Sequence, residues 1–116
     1  MHAFDVLGDP VRRRILELLA ASDQQVAAGE LADTIRAEFG ISHPAVSQHL
    51  KVLRESGFAT VTAQGTRRLY AVGSGPWGDI DAWLGRYRRF WTGRLDALDT
   101  EIARGRRARR PTGDSR

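Results

Sequence analysis

GISHPAVSQHLKVLRESG, residues 40–57, is the stretch on which the fold turns. Gly40 ends one helical segment and Gly57 another, as a glycine just past a helix does. Ser42 suits the N-cap of the helix between them, and Pro44 falls in the first turn, where its missing N–H costs nothing. On a helix of about 100° per residue, Val46, Leu50 and Leu53 form one narrow stripe that has to be buried. Pro44, Ser47, Gln48, Lys51 and Glu55 point broadly away from it, and His43 sits in the first turn beside the stripe. The outward face is small and polar near its N-terminus and gains a cation further on. Such a face fits a major groove: small residues allow close approach, Gln pairs with adenine, Ser with several base edges, and His donates to guanine or phosphate. The plain alternative is a solvated amphipathic helix. His43 and His49 are six residues apart, about 240° around a helix, so they do not converge on one ion.

The flanking sequence shifts the balance between these alternatives towards DNA. Upstream, Asp9-Pro10 opens a helix with Val11, Ile15, Leu18 and Leu19 at helical spacing, after a short helix carrying Phe4 and Leu7. Ser22 to Gln25 reads as a polar loop. Glu30 to Phe39 reads as a helix with Leu31, Ile35 and Phe39 at steps of four. With Gly40 and Ile41 as the turn, this makes a helix-turn-helix. Downstream, FATVT (58–62) and RRLYAV (67–72) flank a Gly-containing turn and predict a β-hairpin, with Tyr70 and Val72 packing inward and Arg67 and Arg68 beside the turn. Trp77 to Ile102 predicts one long helix, with apolar residues at steps of mostly three and four. The expected fold class is therefore mostly α with a β-hairpin wing: a winged helix-turn-helix with a long C-terminal dimerisation helix. The domain expectation is 1–103 for the winged-helix part, including the dimerisation helix 77–102, and a disordered Arg-rich tail at 104–116.

Charge adds a local signal. The net charge of +4 comes from the tail, where residues 104–116 hold six arginines and one aspartate. Residues 1–103 are close to neutral, yet residues 36–70 carry Arg36, Lys51, Arg54, Arg67 and Arg68 against Glu38 and Glu55. That local excess points to nucleic acid more directly than the high isoelectric point does. Seventeen of the 18 basic residues are Arg, which with the many alanines fits a GC-rich genome better than selection for phosphate binding. The chain has no cysteine, which removes disulfides, thiolate metal sites and cysteine nucleophiles. No Ser/His/Asp set, phosphate loop or metal cluster points to an enzyme. No apolar run reaches the ~20 residues of a membrane span and no signal peptide is evident, so the expectation is a cytoplasmic protein with no membrane partner.

LGDPVRRRILELL (7–19), GISHPAVSQHLKVLRESGFATV (40–61) and GTRRLYAV (65–72), in this order, resemble the ArsR/SmtB family of bacterial winged-helix repressors. The resemblance implies double-stranded DNA as partner, with His43, Pro44, Ser47 and Gln48 at base-facing positions and Arg67 and Arg68 on the wing. Lys51 joins these DNA-binding candidates from its place on the outward face. It also implies a homodimer whose first and last helices form the interface, hence Phe4 and Leu7 together with Trp83, Tyr87, Trp91, Leu95 and Leu98. Trp77, Trp83, Tyr87, Phe90 and Trp91 place five of the nine aromatics within 15 residues, a stripe that a two-fold interface would cover. The alternative use of that stripe is a pocket for a hydrophobic small-molecule effector.

Two features depart from the family pattern. GELAD (29–33) has no Cys-x-Cys and the last helix has no histidine, so no metal or other cofactor is expected and the signal is of a non-thiolate kind. ELADTIRAEFGIS (30–42) is also about one turn longer than is usual in the family. The functional expectation is a homodimeric repressor on a pseudo-palindromic operator. The alternatives are a winged-helix protein–protein interaction module, or a repressor with an unrecognised carboxylate metal site.

Overall fold

The computed structural model describes residues 2–113, with side chains described for residues 2–105. The chain divides into two compact units, Met1–Ile80 and Asp81–Arg116. The first unit contains helices α1 (Ala3–Leu7), α2 (Pro10–Ala21), α3 (Ala28–Phe39) and α4 (His43–Glu55), and strands β1 (Val26–Ala27), β2 (Ala59–Gln64) and β3 (Arg67–Val72). Helix α5 (Trp77–Gly85) begins at its end, and α6 (Arg88–Gly113) belongs to the second unit.

Local chemistry sets the helix ends. Asp9 caps α2 by accepting from the N–H of Val11 at 2.8 Å and of Arg12 at 3.2 Å, with Pro10 in the first turn. Ser42 caps α4 by accepting from the N–H of Ala45 at 3.3 Å. Gly40 takes φ 68°, the left-handed region that lets the chain leave α3 and enter α4 within two further residues. This is the helix-turn-helix that the sequence predicts. The wing is also as predicted: β2 and β3 pair antiparallel with Val61 opposite Tyr70 and Gln64 opposite Arg67.

The core of the first unit is apolar. Val6, Val11, Ile15, Leu16 and Leu19 meet Leu31, Ala32 and Ile35, the α4 stripe Val46, Leu50 and Leu53, and Phe58, Ala59 and Tyr70. Among the described residues no polar or charged side chain is buried. Phe58 stands edge-on to Trp77 with ring centroids 4.8 Å apart, and Trp77 Nε1 donates to the Gly73 carbonyl at 2.7 Å. Gly73 permits this closure, because a Cβ there would lie 2.4 Å from the Gly57 carbonyl oxygen. Among the described residues no helix is long and apolar enough to cross a membrane.

The structure corrects several sequence expectations. Val26–Ala27, next to the predicted loop, forms a third strand, and the sheet order is β1-β3-β2. Two residues give no periodicity to read, and β1 exists only because β3 offers it partners at Tyr70 and Leu69. Phe39 is 37% exposed rather than core. Steps of four drift by about 40° each, so Phe39 lies about 80° around from Leu31. Val72 is 40% exposed, because it ends β3 at an open groove that it lines with Leu19, Ala20 and the 22–25 loop.

The single helix expected over 77–102 is interrupted. Past Gly85, the N–H groups of Arg86 and Tyr87 donate three residues back, to Trp83 and Leu84, at 3.2 and 3.0 Å. That 3₁₀-type tightening separates α5 from α6 at a residue with little helix preference. Of the arginine-rich tail, whose composition suggests disorder, residues 104–113 continue α6 as helix, while residues 114–116 lie outside the described residues.

Arg14 on α2 reaches Glu38 near the end of α3 with two bonds, Nε to Oε1 at 2.8 Å and Nη2 to Oε2 at 3.0 Å. The hydrogen bond from Arg14 holds the Glu38 carboxyl below the usual range. A depressed carboxyl stabilises the fold above its unfolded value of about 4.3 and stops doing so as pH falls through its folded value. Glu38→Gln is therefore expected to lower Tm slightly at neutral pH, and the gap to wild type should close in melts run well below about pH 4. Phe58→Ala, at a side chain that is 0% exposed, should cost roughly 3–5 kcal/mol in denaturant unfolding, the usual price for emptying an aromatic core position.

Candidate nucleic-acid interface

Burial of Val46, Leu50 and Leu53 sets the rotation of α4, and the opposite face follows from it. His43, Pro44, Ser47, Gln48 and Lys51 are all exposed. Among the described residues none of the five makes a side-chain hydrogen bond or ion pair. Their polar groups are thus available to an outside partner without breaking an internal contact, and near the N-terminus little bulk stands in front of the helix.

The wing supplies the second set. Arg67 and Arg68 open β3 opposite Gln64 and Ala63, and both are exposed. They line a shallow groove with Thr66 and with Ala27, Ala28 and Gly29 at the start of α3. The N-cap of α3 is Ala27, which offers no capping side chain. Its first-turn N–H groups and the two guanidiniums therefore favour negative charge in the same place. No described hydrogen bond joins the wing arginines to the α4 face.

The pairing of charges separates structural from available cations. Arg12 and Arg14 are engaged with Asp9, Glu17 and Glu38. Among the described residues Arg36, Lys51, Arg54, Arg67 and Arg68 take part in no ion pair. The basic excess of residues 36–70 is thus not consumed inside the fold. Those side chains are all exposed except Arg54, which is half-buried.

His49 departs from the rest of α4. It is half-buried, turned from the polar face towards α2, and its Nδ1 lies 3.3 Å from Arg12 Nη1 and 3.9 Å from Asp9 Oδ1. The structure gives it a partner 37 residues away. The Asp9 carboxyl sits below the usual range. Burial pushes it up, but the N–H groups of Arg12 and Val11, the Arg12 guanidinium and, when protonated, His49 outweigh that. The D-P-x-R start of α2 was the available signal for this cluster, because it places a capping acid and a cation three residues apart.

In the second unit the aromatic stripe lies open. Trp83, Tyr87, Phe90, Trp91, Leu95, Leu98 and Ile102 are between 42% and 65% exposed. Trp83 and Tyr87 rest against each other with centroids 4.8 Å apart. In the first unit Phe4 is 38% exposed and Leu7 is half-buried against the core. Among the described residues no three His, Cys, Asp or Glu side chains gather as metal ligands would.

Comparison with known proteins shows which proteins the chain resembles. Residues 7–62 match the family described as helix-turn-helix domain. The chain is 41% identical over 104 residues to the HTH-type transcriptional regulator Rv2034 of Mycobacterium tuberculosis, covering 86% of this chain and 89% of that protein. It is 30% identical over 83 residues to the transcriptional repressor SdpR of Bacillus subtilis, covering 72% of this chain and 86% of that protein. Among solved structures, an ArsR family transcriptional regulator, RHA00566, is similar with a TM-score of 0.62 at 28% identity, over 77% of this chain and 86% of that one.

Proposed function

The chain belongs to the ArsR-type winged helix-turn-helix transcriptional regulators, and from that premise we propose that it is a homodimeric repressor reading a pseudo-palindromic operator through α4. The observation that carries this is the face of α4. It is a capped helix whose His43, Pro44, Ser47 and Gln48 are exposed and without internal partners, followed by Lys51. Gln48 and Ser47 are suited to base edges. Arg67, Arg68 and the open start of α3 hold phosphates beside them, which fixes register without reading sequence.

Two copies pair through the exposed stripe of the second unit, Trp83, Tyr87, Trp91, Leu95 and Leu98, with Phe4 and Leu7 contributing from the first helix. An apolar face of this size on so small a protein needs a cover, and a self-complementary two-fold contact is the simplest one. The signal that releases the repressor is not a thiol reaction or a thiolate-bound metal, since these 116 residues contain no cysteine. SdpR is named a repressor, and that likeness supports the same direction of regulation here.

Selection of bound DNA from a random pool should return half-sites about one helical turn apart. On the selected site, Gln48→Ala should lose roughly 1–3 kcal/mol of discrimination at one base pair while binding unrelated DNA as before. Arg67→Ala should instead weaken binding to every sequence and lower the salt slope by about 1. Equal losses on every sequence for both variants would remove the base-reading role of Gln48. In sedimentation equilibrium the protein should be a dimer at micromolar concentration and Leu98→Asp largely monomeric; a monomeric wild type would sink the dimer.

A further inference from the structure

Arg12 holds three groups at once. Its Nε donates to the Val6 carbonyl at 2.8 Å, its Nη2 to the Asp5 carbonyl at 3.0 Å, and its Nη1 lies 3.3 Å from His49 Nδ1. The first two acceptors are carbonyls of the last turn of α1, and that of Asp5 also accepts from the Gly8 N–H at 3.3 Å. Arg13 adds to the same end, donating to the Leu7 carbonyl at 2.7 Å. A five-residue helix is far too short to stand alone, so α1 depends on these contacts, on buried Val6 and on the His2–Asp5 capping box.

The third contact reaches the helix that carries Ser47 and Gln48. A guanidinium has donors only. For this contact to be a hydrogen bond, Nδ1 of His49 presents its lone pair to Arg12, which places the ring proton on Nε2. The other charged group facing the ring is Asp9, whose Oδ1 is 3.9 Å from Nδ1. That oxygen is already occupied by the N–H groups of Val11 and Arg12. The Arg12 and His49 side chains are 13% and 21% exposed, so water competes weakly for the bond.

We propose that Arg12 and His49 are positioning residues that tie α1 to the recognition helix. In this arrangement His49 is held as the Nε2–H tautomer, and the tie to α1 fixes the position of α4, whose rotation the buried stripe already sets, and hence where Gln48 is presented. Neither residue need touch DNA. The proposal rests on α4 being the DNA-reading helix for its consequence in binding, but not for the contact itself.

The test uses the intact protein. Long-range ¹H–¹⁵N spectra of the histidine rings at neutral pH should show His49 as a single Nε2–H tautomer in the wild type and as a mixture in Arg12→Lys. Amide exchange at Asp5, Val6 and Gly8 should accelerate in His49→Leu and stay near wild type in His49→Asn, whose Oδ1 replaces the accepting Nδ1. On the selected operator His49→Leu should bind roughly threefold to tenfold more weakly, the net size of one ordinary hydrogen bond, and His49→Asn should recover most of that. An Nδ1–H tautomer in the wild type would overturn the proposal without any variant, as would exchange at α1 indifferent to both substitutions. Failure of the wild type to bind any selected DNA, with the tautomer as expected, would count against the reading of α4 and leave the α1–α4 tie in place.

Discussion

Burial of Val46, Leu50 and Leu53 is the constraint on which the rest of the first unit depends. Each such side chain contributes roughly 1.5–3 kcal/mol when withdrawn from water. Three together approach the whole net stability of a small domain, about 5–15 kcal/mol. The preferences of the polar residues on the same helix are an order of magnitude smaller. The apolar stripe therefore fixes the rotation of α4, and Ser47, Gln48 and Lys51 face outwards because no other rotation buries the stripe. A polar face held this way keeps its orientation without internal bonds of its own.

The basic residues divide by the same logic. Arg12, Arg13 and Arg14 lie together on α2, and all three act inside the protein: on α1 carbonyls, on His49 and on Glu38. Arg36, Lys51, Arg54, Arg67 and Arg68 have no acid to meet among the described residues. A cluster of cations in the sequence is thus no guide to phosphate binding until the acids it meets in space are known. The segment with less obvious clustering is the one whose charge is left to face outwards.

The two units are built from different economies of burial. The first closes a core of fourteen residues around α4, with Phe58 and Trp77 sealing the end next to Gly57 and Gly73. The second, the end of α5 and α6, has large apolar side chains that lie open along several turns. A helix of that length gains little from propensity alone, and its aromatic face is the surface through which further burial can be had.

Much of this was legible in the sequence. Asp9-Pro10, Ser42-x-Pro44 and Gly40 are short-range signals, and each acts through neighbours within four residues, so the helix-turn-helix and its outward face could be read directly. The wing was readable for the same reason, from β-prone runs around a Gly-containing turn. What only the tertiary structure decided are contacts between residues far apart. β1 exists because β3 runs beside it, Val72 is exposed because it borders an open groove at the end of α2, and His49 finds Arg12 across 37 residues. Local chemistry determines where helices begin, end and turn their apolar sides. Which side chain meets which across the core depends on how those helices pack, and no spacing along the chain encodes that.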